Sequence, residues 1–219
     1  MPNWVYNTLS MEGSKEDIQK VKAQLNAPYE RTIDDETRKY SNPIIAFWNI
    51  CRPPEDKMEE YEGVSGYEGG ERKGETEYNW YVFNNREWGT KWDIGMSDGN
   101  KYCETSLDHE DETSLTYRFS TAWSPPLPVI ETLSKQYPKL EMTLEYEEEQ
   151  GWGGEVLFTE EGSSVIREYE APNSHQDFVD RDQIDSCPCQ NEAEEDYWHK
   201  DCPREKELTL SHTRLEVIK

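Results

Sequence analysis

The sequence predicts an α+β fold in which one antiparallel sheet is covered by two helices, elaborated by an acidic insertion and a C-terminal extension. Three observations predict it. Residues 3–11 and 140–147 alternate in strand period, and two apolar helical stripes follow Ser14 and Ser124. Between the helices lie two short strand-like runs. The order strand, helix, insertion, strand, strand, helix, strand is the split βαβ arrangement of a ferredoxin-like domain.

In the first strand Val5, Asn7, Leu9 and Met11 alternate with Trp4, Tyr6, Thr8 and Ser10, and its start is expected to be covered on both sides. Ser14 and Asp17 form a capping box, after which Ile18, Val21 and Leu25 share a face of a helix that ends before Pro28. Residues 28–77 sustain neither period. Residues 43–48 are apolar enough to anchor this stretch, but Pro53-Pro54 and the glycines among acids at 63–70 predict an irregular insertion without chemistry.

Beyond it, strands are expected at about 101–107 and 113–120, with Asp108 to Glu112 as the hairpin tip, because such charges resist burial unpaired. Ser124 is expected to cap a helix whose inner face is Val129, Ile130, Leu133 and Tyr137. Leu140, Met142, Leu144 and Tyr146 against Glu141, Thr143, Glu145 and Glu147 mark a strand with one apolar and one acidic face. Strands at 155–159 and 163–169 and a short helix within 173–185 follow. The domain thus covers 1–170, interrupted at about 28–77, and the acidic extension over 171–219 ends in a strand at Leu208 to Val217.

The net charge of −24 is concentrated: residues 55–77 hold nine acids against three bases, 141–170 ten against one, and 177–207 eleven against four. Such a field opposes direct binding of nucleic acid and favours a basic partner, although solvation alone accounts for an acidic surface. No apolar run is long enough to span a membrane and the N-terminus lacks a signal-peptide pattern, so a cytoplasmic protein is expected. Five cysteines, an odd number, do not form a disulfide framework.

Two tryptophan blocks stand out, Trp88-Gly89-Thr90-Lys91-Trp92-Asp93 and Thr121-Ala122-Trp123-Ser124-Pro125-Pro126. On one reading Trp92 and Trp123 wall a pocket and stack on a base, while Lys91 and the helix start at Ser124 receive phosphate. On the other, the rings fill space between sheet and helices, and Lys91 pairs with Asp93. Trp88, Lys91, Trp92, Asp93, Trp123 and Ser124 are the ligand-site candidates.

These blocks, with Met1-Pro2-Asn3-Trp4, Asn7, Leu9 and the Gly-Trp-Gly-Gly turn after an acidic strand, resemble the YubB/Api92-like proteins over about 1–27 and 78–170. The resemblance implies a ferredoxin-like domain and a setting in bacteriophages, plasmids and integrated mobile elements. It implies no established enzymatic activity. The chain departs from it at Val5, where relatives commonly carry Cys, and in its insertion and extension.

Cys187, Cys189, His199 and Cys202 offer four ligands for a structural Zn²⁺, although the C-x-C spacing is tighter than usual and unligated thiols are the alternative. Cys51 and Cys103 stand alone, without iron–sulfur spacing. His109, His175, His199 and His212 lie in unrelated contexts, and neither a nucleophile elbow nor a phosphate loop is present.

The leading expectation is therefore a non-enzymatic protein that binds a basic host protein, in defence or nucleic-acid handling, through acidic faces that imitate DNA. Glu141, Glu145, Glu147, Glu148 and Glu149 are its contact candidates. The alternative is a binder that sequesters a nucleotide or nucleotide-derived signal between the tryptophans, with a carboxylate-metal hydrolase as a lesser option.

Overall fold

A computed structural model describes residues 2–33, 36–63, 66–68, 71–73, 76–98, 104–172 and 175–180. By contacts the chain divides into two units, one of Met1–Glu149 with Gly153–Tyr169, the other of Gln150–Trp152 with Glu170–Lys219. In the second, the described residues include a helix at His175–Asp180, within the stretch where a short helix was expected. The expected strand at 208–217 lies outside the described residues.

The first unit is built on a six-stranded sheet. Its strands are β1 (Trp4–Glu12), β6 (Ser106–Glu110), β7 (Ser114–Ala122), β8 (Glu141–Glu148), β9 (Gly153–Thr159) and β10 (Gly162–Tyr169), in the order β10-β9-β8-β1-β7-β6. Every neighbouring pair is antiparallel. The split βαβ motif occupies β8-β1-β7-β6, and the β9–β10 hairpin extends it at the β8 edge. The fold is ferredoxin-like, as the element order predicts.

Register gives the sheet its two faces. Val5, Leu9 and Met11 pair with Thr121, Tyr117 and Leu115 on one side and with Glu148, Leu144 and Met142 on the other. All are buried. On this inner face lie α1 (Lys15–Leu25), through Ile18, Val21 and Leu25, and α4 (Leu127–Gln136), through Val129, Ile130 and Leu133. Burying each such side chain stabilises by about 1.5–3 kcal/mol. The outer face is more open than expected at the start of β1, since Tyr6 is 49% exposed.

Local signals place α1 well: Ser14 Oγ accepts from the Asp17 amide at 3.1 Å. They mislead at α4. Pro126 stands at the N-cap with non-helical backbone (φ −86°, ψ 46°), so the helix begins at Leu127, and Ser124 gives its hydroxyl to the Gly89 carbonyl and does not cap it. The hairpin tip also moves. Asp108 and Glu110 belong to β6, where cations from neighbouring elements pair with them: Arg118 lies 2.6 Å from Asp108 and Lys22 lies 2.5 Å from Glu110.

The insertion departs furthest from expectation. Its described residues form a β2–β3 pair (Tyr29–Ile33 and Glu36–Tyr40), a 3-10 turn at Phe47–Asn49, α2 (Met58–Glu62) and a short β4–β5 pair (Gly66–Glu68 and Glu71–Lys73). Phe47 packs edge-on to Phe119 of β7 at 5.9 Å and against Trp88 at 6.0 Å. Aromatic anchors outweigh the glycines and acids around them, so this segment shares the domain core. After it, α3 (Trp80–Phe83) runs into one π-helical turn, Asn84–Trp88. Among the described residues, no helix is long and apolar enough to cross a membrane.

Candidate functional site

The first tryptophan block is a structural corner that delivers Asp93 to a cavity. Gly89 ends the π turn in the left-handed region at φ 78°, where a Cβ would stand 2.4 Å from Pro128 Cδ. Ser124 donates its hydroxyl proton to the Gly89 carbonyl, and Thr90 donates to the Ala122 carbonyl at 2.9 Å. The two blocks therefore clamp each other. Trp88 is buried and donates its indole N–H to the Cys51 carbonyl at 2.8 Å.

Asp93 then gathers the insertion around itself. Its Oδ1 accepts from the amides of Phe47 (2.8 Å), Ile94 (2.8 Å) and Gly95 (3.2 Å), and its Oδ2 from the Tyr29 hydroxyl (3.1 Å) and the Trp48 amide (3.4 Å). Lys91 is not its partner; that ammonium lies 4.6 Å over the Trp92 ring. The cation facing Asp93 is Arg31, with Nη1 at 3.7 Å.

Arg31 is the residue sequence reasoning missed. Its side chain is 9% exposed and its guanidinium lies over Trp48 at 5.0 Å and Tyr61 at 5.5 Å. Nη2 donates to the Tyr61 hydroxyl at 3.0 Å, which donates onward to Asn84 Oδ1 at 2.9 Å, while Asn84 Nδ2 donates to the Lys91 carbonyl at 2.9 Å. Nε is buried without a hydrogen-bond partner among the described residues. Burial opposes the charge of Arg31, but Tyr61 and Asp93 outweigh it and raise its pKa. Burial likewise pushes the Tyr61 phenol upward.

Arg31 lines a cavity of about 400 Å³, together with Arg38, Tyr40, Tyr61, Trp80 and Trp92. Its volume falls in the usual range for small-molecule sites. Arg31 and Arg38 stand directly opposite each other in the β2–β3 register, as do Tyr29 and Tyr40, whose rings stack at 4.2 Å. Asp93 divides its lone pairs among five other donors. The arrangement can hold an anion beside a flat ring. A Tyr-x-Arg strand followed by an Arg-x-Tyr strand was its only local trace in the sequence.

The other candidates scatter. Trp92 is 40% exposed at the cavity wall, with Trp4 as its aromatic neighbour at 6.1 Å. Trp123 lines neither this cavity nor the next and stands 54% exposed at φ 76°, so the two rings do not form the expected sandwich. Along β8, Glu141, Glu145 and Glu147 point outward and Glu149 is exposed, but Glu148 falls in phase with Tyr146 and is buried. Arg167 pairs with Glu145, and Tyr169 donates to Glu147 at 3.0 Å. Cys187, Cys189, His199 and Cys202 lie outside the described residues.

A family-model match supports the fold. Residues 102–187 match the family model described as a ferredoxin-like domain in Api92-like protein, which includes the second tryptophan block. A crystal structure of protein api92 from Yersinia pseudotuberculosis aligns over 78% of this chain and 99% of that one, at 10% identity and a TM-score of 0.41. No curated protein matches.

Proposed function

We propose that this chain is a non-enzymatic binding protein that holds a small anion bearing a flat ring, of the nucleotide class, in the cavity beneath the β2–β3 hairpin. One observation carries the reading: two arginines face each other across a hairpin and line one aromatic-walled cavity, in a protein of net charge −24. A charge-assisted hydrogen bond to phosphate gives the Arg31 fork a further partner.

Calorimetric titration of the full chain with pyrophosphate and nucleoside monophosphates tests this. Saturable binding of the nucleotides is expected. Arg38→Glu changes an exposed side chain, so it should fold normally and weaken binding by tenfold or more. No binding by the wild-type chain, or equal binding by this variant, rejects the site.

A second reading rests on the outer face of the sheet. Tyr6 is exposed and pairs in register with Glu147, beside Glu145 and ahead of Glu149. We propose that this acidic, aromatic surface docks a basic host protein in a phage or mobile-element setting. Association would be steered electrostatically and weaken as salt rises. A protein captured from host lysate at low salt should be lost with a Glu145→Lys, Glu147→Lys double variant; retention by that variant rejects the surface.

A further inference from the structure

A second cavity, of about 220 Å³, shares the Trp92, Asp93 and Gly95 wall with the first and is lined elsewhere by Trp4, Glu104 and Ser120. It is smaller than a typical whole-ligand site but suits one ring system. Both linings include Asp93, and the first also holds Glu62. To these the first cavity adds Arg31 and Arg38 among its aromatic walls, and this one adds the Glu104 carboxylate and the Trp4–Trp92 pair, tilted by 41° with centroids 6.1 Å apart. That spacing leaves no room for a ring between them, so a base would rest against their exposed side.

Glu104 sets what that base must present. Its Oε2 accepts from the Ser120 hydroxyl at 2.6 Å, which fixes the carboxylate on the cavity wall. An ionised carboxylate only accepts, and with about four lone-pair sites it has capacity left. Two oxygens in one plane match two adjacent parallel donors. Among the common bases guanine alone supplies them on one edge, as the N1–H and the exocyclic N2 amine. Adenine and cytosine offer an amine beside a bare ring nitrogen, and uracil an N–H flanked by carbonyls.

We infer that the second cavity is the base subsite of the same ligand, selecting guanine through Glu104 while the phosphate lies on Arg31 and Arg38. This rests on the nucleotide reading above and deepens it. On this reading the sugar lies against Trp92, which lines both cavities.

The test is calorimetric titration of the full chain with GMP, IMP, AMP and pyrophosphate. IMP differs from GMP only in lacking the N2 amine. The wild-type chain should bind GMP about tenfold more tightly than IMP, with AMP weaker still. Glu104→Gln, at an exposed position, should remove the preference for GMP over IMP and leave pyrophosphate affinity unchanged. Equal binding of the three nucleotides, or an unchanged preference in the variant, overturns the guanine subsite and leaves the phosphate site standing. Failure of pyrophosphate and all nucleotides to bind overturns both.

Discussion

Two arginines of this chain meet carboxylates in opposite circumstances. Arg31 is buried between aromatic rings, 3.7 Å from an Asp93 that is already satisfied by backbone amides and Tyr29. Arg167 is 52% exposed on β10, bridging Glu145 and Glu155. The second arrangement is ordinary surface electrostatics, in which the ions keep most of their hydration and contribute about 0–1 kcal/mol. The first forfeits hydration for an incomplete pair, which by itself does not favour folding. On the proposed reading, a charge kept under those conditions serves what enters the cavity more than what holds the fold.

The comparison breaks most sharply at Asp93. Asp93→Ala strips the Phe47 and Ile94 amides of their acceptor and leaves Arg31 without a counter-charge, so urea denaturation should give a loss on the order of 5 kcal/mol. Phe47→Ala should cost about 3–5 kcal/mol in the same measurement, since this insertion residue is fully buried against β7. A loss below about 1 kcal/mol would detach the insertion from the core.

Arg31→Met separates binding from stability. An apolar side chain of similar length avoids the desolvation cost, so folding should change by no more than about 1–2 kcal/mol, while affinity for pyrophosphate falls tenfold or more. Retained affinity would mean that Arg31 is only a structural ion.

The phenols around Arg31 and Asp93 sharpen the same contrast through pH. Burial, chiefly, raises the pKa of Tyr29 and Tyr61 above the ordinary 10.0. The folded pKa exceeds the unfolded one, so stability is whole below pH 10 and falls above it, because the unfolded chain ionises first. The slope is about 1.4 kcal/mol per pH unit for each phenol, and phenolate absorbance should rise together with unfolding. Arg167→Ala should have the smallest effect, within about 1 kcal/mol and vanishing at high salt.

Period-2 alternation in β1 and β8 and the Ser14–Asp17 box were legible because they act between residues close in sequence. These elements, taken in order, were enough for the ferredoxin-like fold. Glu148 was misplaced because its charge was weighed above the alternation; position 148 continues the buried face of Tyr146. The tip of the β6–β7 hairpin was misjudged for a different reason. The cations that hold Asp108 and Glu110 in the strand come from Arg118 and Lys22, on other elements.

The sequence by itself determined the topology, since strand and helix periodicity and the Ser14 cap are local and survive without knowledge of packing. Only the tertiary structure decided the candidate site. Arg31 and Asp93 are brought together by an insertion folding onto the domain, and Trp4 and Trp92 by the first tryptophan block reaching the start of β1, and no spacing rule reports contacts made across such distances. The insertion looked irregular because its order comes from burying Phe47 and Tyr61 against residues beyond it in the chain. That order is what turns two arginines of a hairpin into one side of a cavity.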